Sequence, residues 1–168
     1  DRHTDRSLCK DLFKHLDEAD IVVAHNGDRF DVKKINARLL VNKFSPPSPY
    51  KTIDTLKISR NKFGFPSNKL DNLAKATGLG RKLPHTGAKL WQDCCNGDKS
   101  AWKVMREYNI HDVDLLAGYY DTIKAWAPNH PDMRLYDERG GCPTCQSTNI
   151  QRRGWNVART RKTPRFQC

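Results

Sequence analysis

The chain has 168 residues, of which 37% are hydrophobic, and it carries a formal net charge of +11. That length and apolar content allow one domain with a hydrophobic core plus a small appendage, and they exclude a disordered chain. No apolar run approaches the ~20 residues of a membrane-spanning helix, and the N-terminal stretch lacks the apolar segment of a secretory signal. We therefore expect no membrane partner and a cytoplasmic location.

The positive charge is concentrated towards the C-terminus. From residue 140 onward there are six basic residues and no Asp or Glu. Such an excess points to a polyanionic partner, most simply DNA or RNA, and the alternative is charge that only serves solubility. The six residues are Arg152, Arg153, Arg159, Arg161, Lys162 and Arg165.

The hydrophobic pattern predicts alternating helices and strands in the first half of the chain. Helical spacing over residues 7–19 is followed by a short apolar, β-branched run over 21–26, which indicates a buried strand. Helical spacing returns over 31–41. A proline-rich loop over 43–50 then leads to a short strand over 51–56 that runs into another helix.

The second half is predicted to be mostly helical before its character changes. Asn68 is placed to cap a helix that Gly78 ends, a further helix runs through 90–95, and residues 98–126 form a long helical region in two pieces. The element order predicts an α/β fold, although two strands are too few for a complete sheet. We expect a core over 1–126, a linker over 127–141 and a separate small unit over 142–168. For His85 a substrate role and a structural role are both open, and neither is favoured.

Two acidic positions stand out. Asp31 follows the buried strand at the start of the next helix, so its carboxylate points to the sheet edge where open α/β sheets place their sites. Asp112 lies four residues after Tyr108, so phenol and carboxylate share one helix face, whereas His111 faces elsewhere. Taken alone, Asp31 is explained more simply as an Asp that the helix dipole favours in the first turn. Taken alone, Tyr108 is explained more simply as a half-buried tyrosine that is hydrogen-bonded to a neighbouring acid.

Taken together, the two patterns suggest a family. Asn-x-x-x-Phe-Asp over 26–31, followed by Tyr-x-x-x-Asp over 108–112, resembles the second and third motifs of the DnaQ-like (DEDDy) 3′→5′ exonucleases, which have an RNase H-like fold. The tyrosine variant is similar to the proofreading domains of family-B DNA polymerases and to stand-alone RNase H-like nucleases of phages and bacteria. The resemblance covers roughly residues 7–126, and for a phage protein it implies the host cytoplasm.

The resemblance implies two-metal phosphodiester hydrolysis that releases nucleoside monophosphates from a 3′ end. Asp112 would bind Mg²⁺ or Mn²⁺ directly, Asp31 directly or through water, and Tyr108 would orient the attacking water. Asn26 and Phe30 are expected to shape the pocket of the terminal nucleotide. By charge alone, Arg29 and Lys33 are expected near phosphates.

One part of the family pattern is not found. The first motif, Asp-x-Glu on a first strand, has no match upstream of Asp31, so we expect the chain to start after the N-terminal strands of such a sheet. A fragment, a second polypeptide that supplies the missing strand, and a relic without activity are three open explanations. We expect little activity from this chain alone. The alternative function is a non-catalytic module for nucleic-acid binding or assembly.

The cysteines near the C-terminus indicate a metal site. Cys142 and Cys145 form a CxxC pair that, with Cys168, is similar to a zinc ribbon whose fourth ligand is not identified. Without an export signal a Zn²⁺ site fits better than disulfides, with His130 or another chain as the source of the fourth ligand. Trp155 and Phe166 could stack on bases or form the small core of the ribbon.

Overall fold

The computed structural model of the chain describes residues 5–84, 86–128, 130–135 and 140–168. His85 and part of the predicted linker, residues 129 and 136–139, lie outside these ranges. The chain divides into two compact units, Asp1–Ile123 and Lys124–Cys168. In the described part of the chain no helix is both long enough and apolar enough to cross a membrane.

The first unit is a mixed α/β unit, in agreement with the predicted element order. Its two described strands pair in parallel, with Ile21 opposite Lys51 and Ala24 opposite Asp54, so their carboxyl ends meet at one edge. In chain order the elements are α1 (Arg6–Glu18), β1 (Ile21–Ala24), α2 (Asp31–Val41), β2 (Lys51–Asp54), α3 (Thr55–Lys62), α4 (Leu70–Ala76), α5 (Ala88–Cys95) and α6 (Lys99–Ile123).

Two predicted details of the helices are wrong. The region predicted as two pieces contains one continuous helix, α6, of 25 residues, because its buried positions keep a single stripe from Ala101 to Ile123. Asn68 does not cap α4: the capping position is Lys69, without a side-chain cap bond. Gly78 does end α4 as predicted, with a φ of +77° that suits glycine.

The turn that follows β1 is held by Asp54, the last residue of β2. The Asp54 carboxylate is only 5% exposed. Its Oδ1 accepts the backbone N–H groups of Asn26 at 2.9 Å and Leu56 at 3.0 Å, and its Oδ2 accepts that of Asp28 at 3.4 Å. One buried carboxylate thus caps α3 and fixes the turn between β1 and α2.

The same turn depends on two unusual backbone positions. Asn26 has a φ of +69°, a left-handed conformation that asparagine tolerates better than most residues, which is why β1 ends before the predicted residue 26. A Cβ added to Gly27 would lie 2.3 Å from the Cβ of Ala24, so only glycine lets the chain turn this close to the strand.

His25 joins three segments of the first unit. Its Nε2 lies 3.0 Å from the carbonyl oxygen of Asn68, and its Nδ1 lies 2.9 Å from the hydroxyl of Thr55. Because a carbonyl can only accept, Nε2 carries the hydrogen. The Thr55 hydroxyl also donates to the backbone carbonyl of Ala24 at 3.0 Å. Burial lowers the pKa of His25, which keeps the ring neutral near pH 7.

Helix α6 forms the centre of the first unit and packs against α3, α4 and α5. Tyr119 is fully buried, and its hydroxyl lies 2.7 Å from that of Ser59. Tyr108 packs against a buried cluster of α5 and α6 side chains. The position of the α6 face that carries Tyr108 and Asp112 is therefore set by the core. The cluster consists of Leu90, Cys94, Ala101 and Met105.

The second unit contains an exposed hairpin. Strands β3 (Gln151–Val157) and β4 (Lys162–Gln167) pair antiparallel, after short 3₁₀ turns at Lys124–Trp126 and Met133–Leu135. Every residue of both strands is exposed. Trp155 is 46% exposed and Phe166 is 59% exposed, so these rings do not form a buried core of the ribbon.

Replacement of Asp54 tests its role as the organiser of the turn. Asp54→Ala leaves three backbone N–H groups without their acceptor, so we expect the free energy of unfolding to fall by about 2–4 kcal/mol. Asp54→Asn keeps one acceptor oxygen, so its free energy of unfolding should fall by less than that of Asp54→Ala. Urea unfolding followed by circular dichroism measures both values. An alanine variant within ~0.5 kcal/mol of wild type would contradict this role.

The neutral state of His25 predicts a pH dependence. Its pKa in the folded protein lies below the ~6.5 of an unfolded chain, so its stabilisation is present above pH ~6.5 and is lost as pH falls through the folded-state pKa. We expect the Tm of wild type to exceed that of His25→Gln at neutral pH. The difference in Tm should become smaller in mildly acidic buffer. Thermal melts at both pH values check this, and a constant gap would refute it.

Candidate functional site

The two residues predicted on α6 lie together, joined by a lysine that the sequence did not indicate. Lys82 Nζ donates to Asp112 Oδ2 at 2.5 Å and to the Tyr108 hydroxyl at 3.2 Å. The side chains of Lys82 and Asp112 are 30% and 19% exposed, so the ion pair is shielded from most of the solvent. Burial opposes the charge on Lys82, but hydrogen bonds to Asp112 and Tyr108 outweigh it and raise the pKa of Lys82.

The loop that carries Lys82 is itself fixed. Asp71 Oδ1 accepts the backbone N–H of Lys82 at 2.9 Å, and Asp71 Oδ2 pairs with Arg81 at 3.3 Å. His111 Nε2 donates to the backbone carbonyl of Arg81 at 2.7 Å. His111 thus holds the segment that places Lys82.

One oxygen of Asp112 has no partner. While Lys82 binds Oδ2, Oδ1 is buried and, among the described residues, accepts no hydrogen bond. Buried polar atoms are nearly always satisfied, so an open carboxylate oxygen calls for a ligand. Hard divalent cations take carboxylate oxygens as ligands, and the position of Oδ1 therefore fits a metal ion at Asp112.

An open cleft of about 600 Å³ reaches Lys82 from the side of β1. The cations of Arg60, Lys69 and Lys82 line it, and so does Asn68, whose buried Oδ1 has no partner among the described residues. Of the residues predicted to bind substrate, Asn26 lines the cleft. The full lining is His25, Asn26, Leu56, Arg60, Pro66, Ser67, Asn68, Lys69, Leu70, Asp71 and Lys82. Its charge suits an anionic ligand.

Asp31 is the first residue of α2 and is exposed. Its Oδ2 lies 4.0 Å from the position that a Cβ on Gly27 would take, which places the carboxylate beside the turn that follows β1. Contacts in the described part of the chain bring Tyr108 and Asp112 together through Lys82, but no hydrogen bond or ion pair joins Asp31 to them. A shared metal site for Asp31 and Asp112 remains a prediction.

The other predicted substrate residues lie on the surface near Asp31. Phe30 is 56% exposed, and the ammonium of Lys34 lies 5.8 Å from the centre of its ring. Arg29 and Lys33 are exposed as well. The contacts of these side chains do not place them in the cleft, and their proposed roles at the nucleotide and its phosphates stay predictions.

In the second unit, three cysteines come together as the sequence predicted. The sulfur atoms of Cys142, Cys145 and Cys168 all lie within 4.8 Å of one another, and those of Cys145 and Cys168 are 3.5 Å apart. Among the described residues, His130 does not join this cluster. The three thiols are compatible with a zinc-binding unit that takes a further ligand from elsewhere.

A tight turn presents the first two of these cysteines. The Cys142 carbonyl accepts the N–H of Gln146 at 2.8 Å, and the Cys142 N–H donates to Ser147 at 2.9 Å. A Cβ on Gly141 would lie 2.8 Å from two carbonyl oxygens of this turn, so glycine is required there. Burial opposes ionisation of Cys142, but hydrogen bonds from backbone N–H groups and neighbouring thiols lower its pKa to about 7.

Comparison with known proteins places the first unit in a superfamily. A family model, RNase_H_2, described as RNase_H superfamily, matches residues 1–124. No curated protein and no solved structure matches the chain. Members of this superfamily are generally nucleases, their fold usually uses divalent metals, and it implies nucleic-acid binding. The match covers most of the chain, and this protein therefore belongs to the RNase H superfamily.

Proposed function

We propose that the first unit is the core of a metal-dependent 3′→5′ exonuclease that hydrolyses DNA or RNA. The supporting observation is the arrangement of Tyr108 and Asp112, in which a buried carboxylate oxygen has no partner among the described residues and a phenol hydroxyl shares the contact with Lys82. The spacing of the Asn26–Asp31 and Tyr108–Asp112 motifs favours exonucleases of the tyrosine subtype over other nucleases of the superfamily.

The proposed site divides the work among three residues. Asp112 and Asp31 hold two divalent ions, Mg²⁺ or Mn²⁺, and carboxylates suit such hard ions. When bound, these ions supply charge stabilisation at the phosphate and activate water. Tyr108 positions that water through its hydroxyl, since a phenol is a weak general base near neutral pH.

Lys82 gains a role that the sequence motifs did not suggest. It contacts Asp112 and also lines the cleft, so its ammonium can exchange the carboxylate for a substrate phosphate by side-chain rotation alone. Its backbone stays held by Asp71 during that exchange. We assign to Lys82 the binding of the phosphate next to the bond that is cut.

The metal site needs further ligands. In the part of the chain that the structure describes, no third carboxylate or histidine groups with Asp31 or Asp112. We propose that a segment or a second polypeptide with an Asp-x-Glu motif completes the site. Two-metal centres bridge both ions with carboxylates, so metal affinity should rise when that motif is added.

Asp112→Asn tests the proposal, with Asp114→Asn as matched control because Asp114 is an exposed acid on the same helix. When a segment with the Asp-x-Glu motif is supplied, we expect Asp112→Asn to weaken Mn²⁺ binding and to slow the shortening of a 5′-labelled single strand by roughly 100-fold or more, since a metal ligand is lost. Asp114→Asn should match wild type. Electron paramagnetic resonance of free Mn²⁺ and gel analysis of the labelled strand give the two readouts.

Two outcomes would count against an exonuclease. Equal Mn²⁺ binding by wild type and Asp112→Asn would remove Asp112 from the metal site. Cleavage of a circular single strand, which has no 3′ end, would show a nuclease of another kind within the superfamily. Parallel assays on DNA and RNA strands of one sequence identify the preferred sugar.

A second candidate function rests on the ion pair between Lys82 and Asp112. A protein cation already neutralises this carboxylate, an arrangement that also suits a non-catalytic module for nucleic-acid binding or assembly. This alternative predicts oligonucleotide binding that is unchanged by Mn²⁺ and by Asp112→Asn, with no shortening even when an Asp-x-Glu segment is supplied.

We further propose that the second unit binds Zn²⁺ through Cys142, Cys145 and Cys168. Their sulfur atoms already lie within 4.8 Å of one another, and zinc accepts thiolate ligands readily. The fourth ligand of a tetrahedral site then comes from water or from another group.

Cys168→Ser tests this zinc site, with Cys95→Ser as control because Cys95 is also exposed but lies in the first unit. We expect the Cys168 variant to lose at least about tenfold in Zn²⁺ affinity, because one of three ligands is removed. Cobalt substitution gives thiolate-to-metal absorption that reports the change. A Cys145–Cys168 disulfide in freshly reduced protein, or equal affinity in both variants, would contradict the site.

A further inference from the structure

One face of the β3–β4 hairpin carries side chains from both strands. Directly opposed residues of an antiparallel pair point to the same side of the sheet. Alternate residues along one strand also point to the same side. Arg152 and Trp155 are three positions apart in β3, but a bulge at Gly154, where φ is +76°, places both on the same side of the hairpin. The opposed pairs are Arg152 with Phe166, Trp155 with Pro164, and Val157 with Lys162. We call these six residues the Trp155 face.

The Trp155 face alternates flat rings with cations. The guanidinium of Arg152 and the ammonium of Lys162 each lie 4.5 Å from the centre of the Trp155 ring. Phe166 lies two residues along β4 from Pro164 and is 59% exposed. No acidic residue occurs after residue 140 to neutralise these charges. The face is thus aromatic, basic and open to solvent.

We propose that the Trp155 face is a binding surface for single-stranded nucleic acid, built separately from the cleft of the first unit. Bases stack on aromatic side chains, and flanking cations neutralise the phosphates that join those bases. Arg152 and Lys162 stand on either side of Trp155 along the hairpin, where the phosphates before and after a stacked base would pass.

The spacing of the rings favours a single strand over a duplex. Trp155 lies opposite Pro164, and Phe166 is two residues further along β4. Two residues of a β-strand span about 7 Å, so the two rings are about 7 Å apart along the hairpin. Stacked bases rise by only about 3.4 Å, so neighbouring bases that each meet one ring must be unstacked. Only an extended strand offers bases in this state. An acidic peptide would use the cations but not the exposed rings of Trp155 and Phe166.

The opposite side of the hairpin supplies a matched control. Arg153 lines a separate depression with Gln151 and Gln167, and it donates to Gln151 at 2.9 Å. Because Gln151 pairs with Gln167, and Gln167 alternates with Phe166, this depression lies on the other side from Trp155. Arg153→Gln therefore removes the same charge as Arg152→Gln, but from the wrong face.

The test measures binding of the full zinc-loaded chain to a 5′-labelled oligothymidine by fluorescence anisotropy, without Mg²⁺ or Mn²⁺ so that no cleavage occurs. We expect Trp155→Ala to weaken binding by roughly five- to a hundredfold and Trp155→Phe to retain most of it. Arg152→Gln should weaken binding and lower the slope of log affinity against log salt by about 0.7. Arg153→Gln should stay within about twofold of wild type.

Several results would overturn the proposal. Equal losses in Arg152→Gln and Arg153→Gln would show unspecific charge attraction. Equal affinity for a duplex of the same length, or equal binding of anionic phospholipid vesicles, would assign the face to another partner. The cobalt spectrum reports whether Trp155→Ala keeps its fold. If Trp155→Ala does not fold, the affinities of Trp155→Phe, Arg152→Gln and Arg153→Gln still test the proposal.

Discussion

The first unit depends on one buried carboxylate, that of Asp54. It lies at the carboxyl end of β2 and gathers backbone N–H groups from the turn after β1 and from the start of α3. Those bonds allow Asn26 to adopt a left-handed backbone and bring the next helix, with Asp31 at its first position, to the sheet edge. The cleft and the acidic residue beside the turn both follow from this one group. Asp54 thus has a structural role, whereas Asp31 and Asp112 are the proposed metal ligands.

Local features were predictable from the sequence, whereas contacts between distant segments were not. The shared face of Tyr108 and Asp112 follows from helical spacing alone, and so does the end of α4 at Gly78. Lys82 reaches Asp112 across 30 residues of chain from a loop without periodicity, so no local pattern marks it. Asn68 lies one residue before the capping position of α4, and its backbone carbonyl accepts a hydrogen bond from His25, a contact between distant segments that no local pattern marks.

The cations of the two units that we propose to bind nucleic acid have different surroundings. In the first, Lys82 is paired with Asp112, which balances its charge. In the second, Arg152 and Lys162 lie against the Trp155 ring, and no acidic residue follows residue 140 to balance their charge. On our proposals, the hairpin binds nucleic acid without divalent ions, and the cleft binds substrate phosphate beside the metal site.

The unbroken length of α6 has a consequence for the dynamics of the site. Helix ends fray, while interior turns open only with the surrounding core. Tyr108 and Asp112 lie well inside a helix of 25 residues that Tyr119 anchors further along, so the backbone amides of this segment should be among the slowest in the chain to exchange with deuterium. The two side chains are held at a fixed separation by a backbone that does not open locally. Any motion during turnover then belongs to their partners, above all to the loop of Lys82.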